Sequence, residues 1–149
     1  MDIKILFKKL FIGNYRLKKI CVVFLLSIPY FSFSQAHFGV SIDQLIKYHP
    51  DKIWLEDNTD TGVLFYFFEN LTGKWSYYVD DKTKLVYMCD LVPKDQQQLN
   101  TLVTGFNKRY VIKSDTSWYE YLKNGSIISI KLIYKKDIKA NVFIYQQIK

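Results

Sequence analysis

Cysteine, histidine and proline are scarce in this chain of 149 residues, which has two, two and three of them. Cys21 lies in an N-terminal apolar run, so Cys89 is alone in the rest of the chain and cannot form an internal disulfide. The two histidines are 12 positions apart with no second pair near them, unlike a structural zinc site. A cysteine nucleophile needs a base and an orienting group, and neither accompanies Cys89. We therefore expect no metal, no cofactor and no enzymatic activity.

The first 34 residues have the order of a secretory signal peptide: a basic segment, an apolar core and small residues. Residues 1–19 carry six basic side chains and one acidic side chain. The apolar core, residues 20–31, is too short to span a bilayer, which takes about 20 residues. Cleavage after Ser34 or after Ala36 leaves small residues where signal peptidase needs them. Because the basic segment is long, an uncleaved signal anchor is the alternative.

The junction Ser-Phe-Ser-Gln, residues 32–35, resembles the leaders of Bacteroidota envelope proteins, in which the mature chain often starts at glutamine. This resemblance implies cleavage after Ser34 and export to the periplasm or the cell surface. The mature chain is then residues 35–149, and it meets the membrane only through the signal peptide during export.

Much of the net positive charge belongs to the leader. The whole sequence has 21 basic and 14 acidic residues, a net charge of +7, but 15 and 13 remain after residue 34. We therefore expect no nucleic-acid partner, which requires a concentrated basic face. The remaining charge is uneven, with net −4 over residues 35–93 and net +6 over residues 94–149. Lys135 and Lys136 lie in the basic part, where charged turns can steer a charged partner.

Two helices and eight strands are predicted along the mature chain. Ser41 followed by Gln44 is a capping box that starts a short first helix. Apolar residues at helical spacing predict a second helix over residues 94–107, with Leu102 and Phe106 facing a sheet. The predicted strands are 53–56, 63–68, 75–79 and 85–92 before this helix, and 110–114, 118–122, 127–134 and 142–148 after it.

The predicted fold class is α+β: two helix-plus-four-strand units, 41–92 and 94–148, form an antiparallel sheet with helices packed on one face. The two halves share almost no identity, so internal duplication and a convergent layout both stay open. The element order resembles the tandem helix-plus-four-strand fold of β-lactamase-inhibitor proteins and of small outer-membrane assembly lipoproteins. The resemblance covers residues 35–149 as an element order alone and implies no binding residue.

Aromatic residues are the main candidates for a binding surface, because 19 remain after the leader and two short helices cannot easily cover them all. The candidate binding residues are Trp75, Tyr77, Trp118 and Tyr121, with Lys135 and Lys136 as a second location. Alternation along a strand places Trp75 and Tyr77 on one face, and it places Trp118 opposite Tyr121. The other interpretation is that these aromatic residues fill the core.

Cys89 lies in a run, residues 85–92, that is apolar on both alternating faces. Such a run is typical of a central strand covered on both sides. We expect a buried core cysteine, with an intermolecular disulfide or a reactive thiol as the alternative.

These features predict a small exported protein without enzymatic activity that binds a partner protein through an aromatic sheet face. An inhibitor or an immunity-type protein is one concrete form of this function. An accessory protein of envelope assembly is the alternative, followed by a small secreted enzyme.

Overall fold

The computed structural model of this chain describes residues 37–148. They fall within one unit, Ala36–Lys149. The predicted signal peptide lies outside the described residues, as do its cleavage positions after Ser34 and Ala36. Within residues 37–148, no helix is long and apolar enough to cross a membrane.

Both helices begin at side-chain caps. Helix α1, Ile42–Tyr48, follows Ser41, whose hydroxyl accepts the backbone N–H of Gln44 while the Gln44 side chain accepts the backbone N–H of Ser41. The predicted capping box is thus confirmed. Helix α2, Gln96–Arg109, begins two residues later than predicted, because the carboxylate of Asp95 accepts a backbone N–H of the first turn and makes Asp95 the cap.

Eight strands form one antiparallel sheet, and the fold is α+β with mostly sheet. The strands are β1 (Leu55–Asn58), β2 (Leu64–Asn70), β3 (Gly73–Val79), β4 (Val86–Pro93), β5 (Val111–Ser114), β6 (Ser117–Tyr121), β7 (Ile127–Lys135) and β8 (Ala140–Gln147). Their order in the sheet is β1-β2-β3-β4-β8-β7-β6-β5. Each run of four consecutive strands is a meander, and the two meanders meet where β4 pairs with β8.

Strand register places the large apolar side chains on one side of the sheet, here called the covered face. Directly opposed residues point to the same side, and Trp75 opposes Leu91, which in turn opposes Phe143. The buried strand residues of the covered face are Phe68, Trp75, Tyr77, Val79, Val86, Cys89, Leu91, Trp118, Ile128, Ile130, Phe143 and Tyr145.

Both helices pack on the covered face. Leu45 of α1 and Leu99 and Phe106 of α2 belong to the same hydrophobic core as the strand residues. The Phe106 ring lies 5.5 Å from the ring of Trp118 and 5.0 Å from that of Phe143, centroid to centroid. The helices of residues 37–148 thus leave the other side of the sheet, here called the open face, uncovered.

Candidate binding surface on the open face

Three of the predicted binding residues lie in the core. Trp75, Tyr77 and Trp118 are 2%, 0% and 0% exposed on the covered face. Both tryptophan indole N–H groups find partners there, since Trp118 donates to Asn107 of α2 and Trp75 donates to Thr72. The expectation that these three residues form an exposed recognition surface is therefore wrong. The helices cover the face to which these residues point.

The other three predicted residues remain at the surface but do not form one cluster. Tyr121 is 58% exposed on the open face, opposite in direction to Trp118, as alternation predicted. Tyr121 pairs with the first residue of β7, whereas Lys135 is the last residue of that strand. The two positions are therefore roughly 25 Å apart at 3.3 Å per residue. Lys136 is exposed in the turn between β7 and β8.

Aromatic rings do occupy the open face, on β2 and β3. Phe65 stacks on Tyr78 with ring centroids 5.4 Å apart, and it lies 5.8 Å from the ring of Phe67. The ammonium of Lys74 lies 3.9 Å from the Phe67 ring centroid, which is a favourable cation–π distance. These three rings are partly exposed, so they present a surface of combined aromatic and cationic character.

A second group of the same kind lies on β5 and β6. The rings of Tyr119 and Tyr121 are 6.5 Å apart, centroid to centroid. The ammonium of Lys113 lies 4.7 Å from the Tyr119 centroid. Both meanders therefore present a pair of neighbouring rings with a lysine over one of them, on the same side of the sheet.

A cleft of about 800 Å³ lies on the open face over β2, β3 and β4. Two loops border the cleft, because Thr59 and Asp60 after β1 and Asp137 and Ile138 after β7 line it. The aromatic side chains of Phe65 and Tyr78 also line it. The cleft thus combines an aromatic wall with polar and charged loop residues.

Asp90 of β4 lines this cleft from the centre of the sheet, where it opposes Ser76 and Ile144. It is only 3% exposed. Its Oδ2 accepts the Tyr78 hydroxyl at 2.8 Å and the Lys135 ammonium at 3.2 Å. A buried carboxylate must be paired to be tolerated, and Lys135 supplies the opposite charge from 45 residues away in sequence.

The phenol of Tyr78 is held in its neutral form by this environment. Burial, followed by the negative charge of Asp90, raises the pKa of Tyr78 well above its usual value. A neutral phenol donates a hydrogen bond, so the Tyr78 hydroxyl holds Asp90 Oδ2 in place. This pairing makes the floor of the cleft a defined acceptor site.

Cys89, the neighbour of Asp90, points the other way and is fully buried in the core. Burial raises the pKa of its thiol well above the usual value, which suppresses the reactive thiolate. The expected core position of Cys89 is confirmed. Among residues 37–148, no group of three His, Cys, Asp or Glu side chains is arranged to hold a metal ion.

Asp90, Phe65 and Phe67 were not among the binding residues predicted from the sequence. The available signal was Asp90 itself, the single charged residue in the apolar run 85–92. A carboxylate inside a central strand requires a partner, and that requirement marks a site. Its partner Lys135 was among the predicted residues, but the pairing depends on the register of β4, β8 and β7.

Comparison with known proteins gives no further guide to this surface. The chain matches no protein-family model, no curated protein and no solved structure.

Proposed function

We propose that this protein is a non-enzymatic binding protein that recognises a partner protein through the open face of its sheet. The observation that carries the proposal is the pair of aromatic and lysine groups, Phe65–Phe67–Lys74 and Tyr119–Tyr121–Lys113, which are partly or fully exposed on the face without helices. A protein of inhibitor or immunity type, which occludes another protein, is the form we favour.

The composition of the open face supports a protein partner. Tyrosine and phenylalanine are enriched in protein interfaces, where they contribute large contact area at small conformational cost. The rings near Lys74 and Lys113 retain apolar surface with cations above them, so a partner can combine apolar contacts with carboxylate contacts. A protein surface offers both over the width of an eight-stranded sheet.

The charges of the open face also favour a partner of mixed sign. The first meander contributes the acidic residues Asp57, Glu69 and Asp90 together with Lys74, whereas the second contributes the basic residues Lys113, Lys131 and Lys135. This division follows the uneven charge of the sequence. Complementary charges on a partner would set its orientation on the sheet and raise its association rate.

The proposal includes export and a two-unit layout. The order of residues 1–34 supports secretion to the periplasm or cell surface, and sequencing the exported protein should find a start at Gln35 or His37. A start at Met1 would indicate an anchor instead. The sheet order, which is symmetrical about the β4–β8 pair, supports two helix-plus-four-strand units over residues 41–92 and 94–148.

Site-specific photocrosslinking tests the proposed surface. A photoreactive phenylalanine analogue is placed at Phe67 or at Tyr121 in cells that produce the full chain, with Gln97 on the exposed side of α2 as the matched control. We expect crosslinks to a second protein from Phe67 and Tyr121 and none from Gln97. Once that partner is identified, Tyr121→Ala should weaken binding by about 2 kcal/mol or more. Equal crosslinking at all three positions, or crosslinking from Gln97 alone, would refute the open-face interface.

A further inference from the structure

One oxygen of the buried carboxylate in the cleft lacks a partner among the described residues. Asp90 Oδ2 accepts from Tyr78 and Lys135, but Oδ1 is buried without any hydrogen bond from residues 37–148. A buried carboxylate oxygen without a donor from the protein is unfavourable, because burial separates it from bulk solvent. Because Asp90 lines the cleft, a ligand seated there can supply that donor.

Lys135 is the resident cation of this carboxylate, because its ammonium lies 3.2 Å from Asp90 Oδ2. Its side chain keeps 30% of its surface exposed, whereas that of Asp90 keeps 4%. The flexible, partly exposed Lys135 side chain can move into solvent when another cation takes its place, since the buried Asp90 carboxylate must remain paired. A competing cation can therefore reach Asp90 by displacing Lys135.

The charges around the cleft favour a cationic ligand. Besides Asp90, its lining contains the carboxylates of Asp60, Glu69 and Asp137. Its ammonium groups belong to Lys74, Lys94 and Lys135, and two of these are already engaged. Lys135 pairs with Asp90, and Lys74 lies over the Phe67 ring. With four carboxylates and three ammonium groups, the lining of the cleft has a formal net charge of −1.

The aromatic wall favours a planar cation. Phe65 and Tyr78 line the cleft as a stacked pair with an interplanar angle of 29°. A guanidinium can stack on a ring and still direct its N–H donors in the plane toward a carboxylate. An ammonium is a compact point charge that cannot stack in this way.

We propose that the cleft binds the guanidinium of an arginine side chain, with Asp90 Oδ1 as its acceptor and the Phe65–Tyr78 pair as its aromatic wall. This inference rests on the proposed function, since it makes the arginine part of the partner protein bound at the open face. Arginine is a frequent anchor of protein interfaces, and a pocket that desolvates it gives the contact its strength. The cleft is then the specificity site of the interface.

Titration of the purified protein with methylguanidinium chloride, followed by amide NMR shifts, tests the site without any partner. We expect saturable shifts in β3, β4 and the Asp137–Ile138 turn, with affinity at least about threefold higher than for methylammonium chloride. Asp90→Asn should weaken methylguanidinium binding by about tenfold or more, because it removes the anionic acceptor. Asp115→Asn, which removes a negative charge outside the cleft, is the matched control. The affinity of this variant for methylguanidinium should stay within about twofold of that of the unmodified protein.

Lys135→Ala gives an independent measurement if Asp90→Asn disturbs folding. It removes the resident cation while keeping the carboxylate, so methylguanidinium should bind about threefold or more tightly. Absence of saturable shifts in the unmodified protein, unchanged affinity in a folded Asp90→Asn variant, or weaker binding to Lys135→Ala would each overturn the assignment. Failed photocrosslinking at Phe67 and Tyr121 would overturn the proposed function alone, since the titration uses the isolated protein.

Discussion

Two adjacent residues of β4 have opposite environments because strand side chains alternate between faces. Cys89 opposes Tyr77 and lies in the core between the sheet and the helices, whereas Asp90 opposes Ser76 and lies at the floor of the cleft. The run of residues 85–92 is apolar on both faces, apart from Asp90. A one-residue shift in register would therefore move the carboxylate into the core and the thiol into the cleft.

The buried position of Cys89 leads to a labelling prediction. A thiol reagent should modify it only after denaturation, because burial both raises the pKa of the thiol and blocks access. The assay uses a Cys21→Ser variant, so that Cys89 is the single thiol measured. Cys89→Ala should lower the free energy of unfolding by about 1 kcal/mol. Rapid labelling of the native protein would show that the thiol is accessible.

Gly73 gives a second prediction at the residue scale. Its φ is +142°, and a Cβ at this position would lie 2.0 Å from the carbonyl oxygen of Val92. Gly73→Ala should therefore lower the free energy of unfolding by more than about 2 kcal/mol, measured by chemical denaturation. Gly105 of α2 is the control, since nothing lies within 4 Å of its added Cβ. Gly105→Ala should raise the free energy of unfolding by about 0.5–1 kcal/mol, and equal effects at both glycines would contradict the close approach.

At the scale of elements, Phe106 is the side chain through which α2 contacts the aromatic rings of the covered face. The Phe106 ring contacts the rings of Tyr110, Trp118, Phe143 and Tyr145 at centroid distances of 5.0–6.3 Å. These partners come from the helix end and from β6 and β8. Phe106 therefore connects the helix to the centre of the sheet, while Leu102 is only partly buried beside it.

Truncation of Phe106 tests this contribution. Phe106→Ala should lower the free energy of unfolding by about 3–5 kcal/mol, because it removes buried apolar area and leaves a cavity among rigid rings. Gln97→Ala, on the exposed side of the same helix, should change it by less than about 0.5 kcal/mol. Urea denaturation of the two variants makes the comparison. Similar losses at both positions would mean that the helix face is assigned incorrectly.

Local signals in the sequence predicted the elements well. The capping box at Ser41 and Gln44 places α1, and alternation correctly separates Trp118 from Tyr121. The alternation of side chains along a strand predicts which residues share a face, but it does not predict which face the helices cover. That choice depends on how α1 and α2 pack, and it explains why Trp75 and Tyr77 were expected at the surface and are found in the core.

The candidate site was harder to predict because it depends on long-range register. Asp90 and Lys135 meet across β8, and their separation of 45 residues gives no local signal. The cleft likewise combines loops that follow β1 and β7. Sequence patterns predict neighbours within a strand or a helix turn, whereas the Asp90–Lys135 pair requires the order and register of β4, β8 and β7.

At the scale of the whole molecule, two histidines flank α1, because His37 precedes the helix and His49 follows its last residue. The rings of His37 and His49 are 5.5 Å apart, and His49 lies 5.7 Å from Phe68 of the core. The charged groups near His49 are Asp51, which favours its protonated form, and Lys52, which opposes it. Burial is the larger influence, and His49 Nε2 has no hydrogen-bond partner within residues 37–148.

This histidine pair predicts a loss of stability in mild acid. Burial lowers the pKa of both side chains below the ordinary 6.5, and the charge of His49 adds to the effect at His37. As the pH falls through about 6.5, the unfolded chain binds protons that the folded chain resists. The stabilisation is therefore complete above that pH and is lost progressively as the pH falls toward the lowered pKa values. Urea denaturation between about pH 8 and pH 5 should show this decline, and a His37→Gln/His49→Gln double variant should flatten it. A decline of the same size in the double variant would assign the pH dependence to other groups.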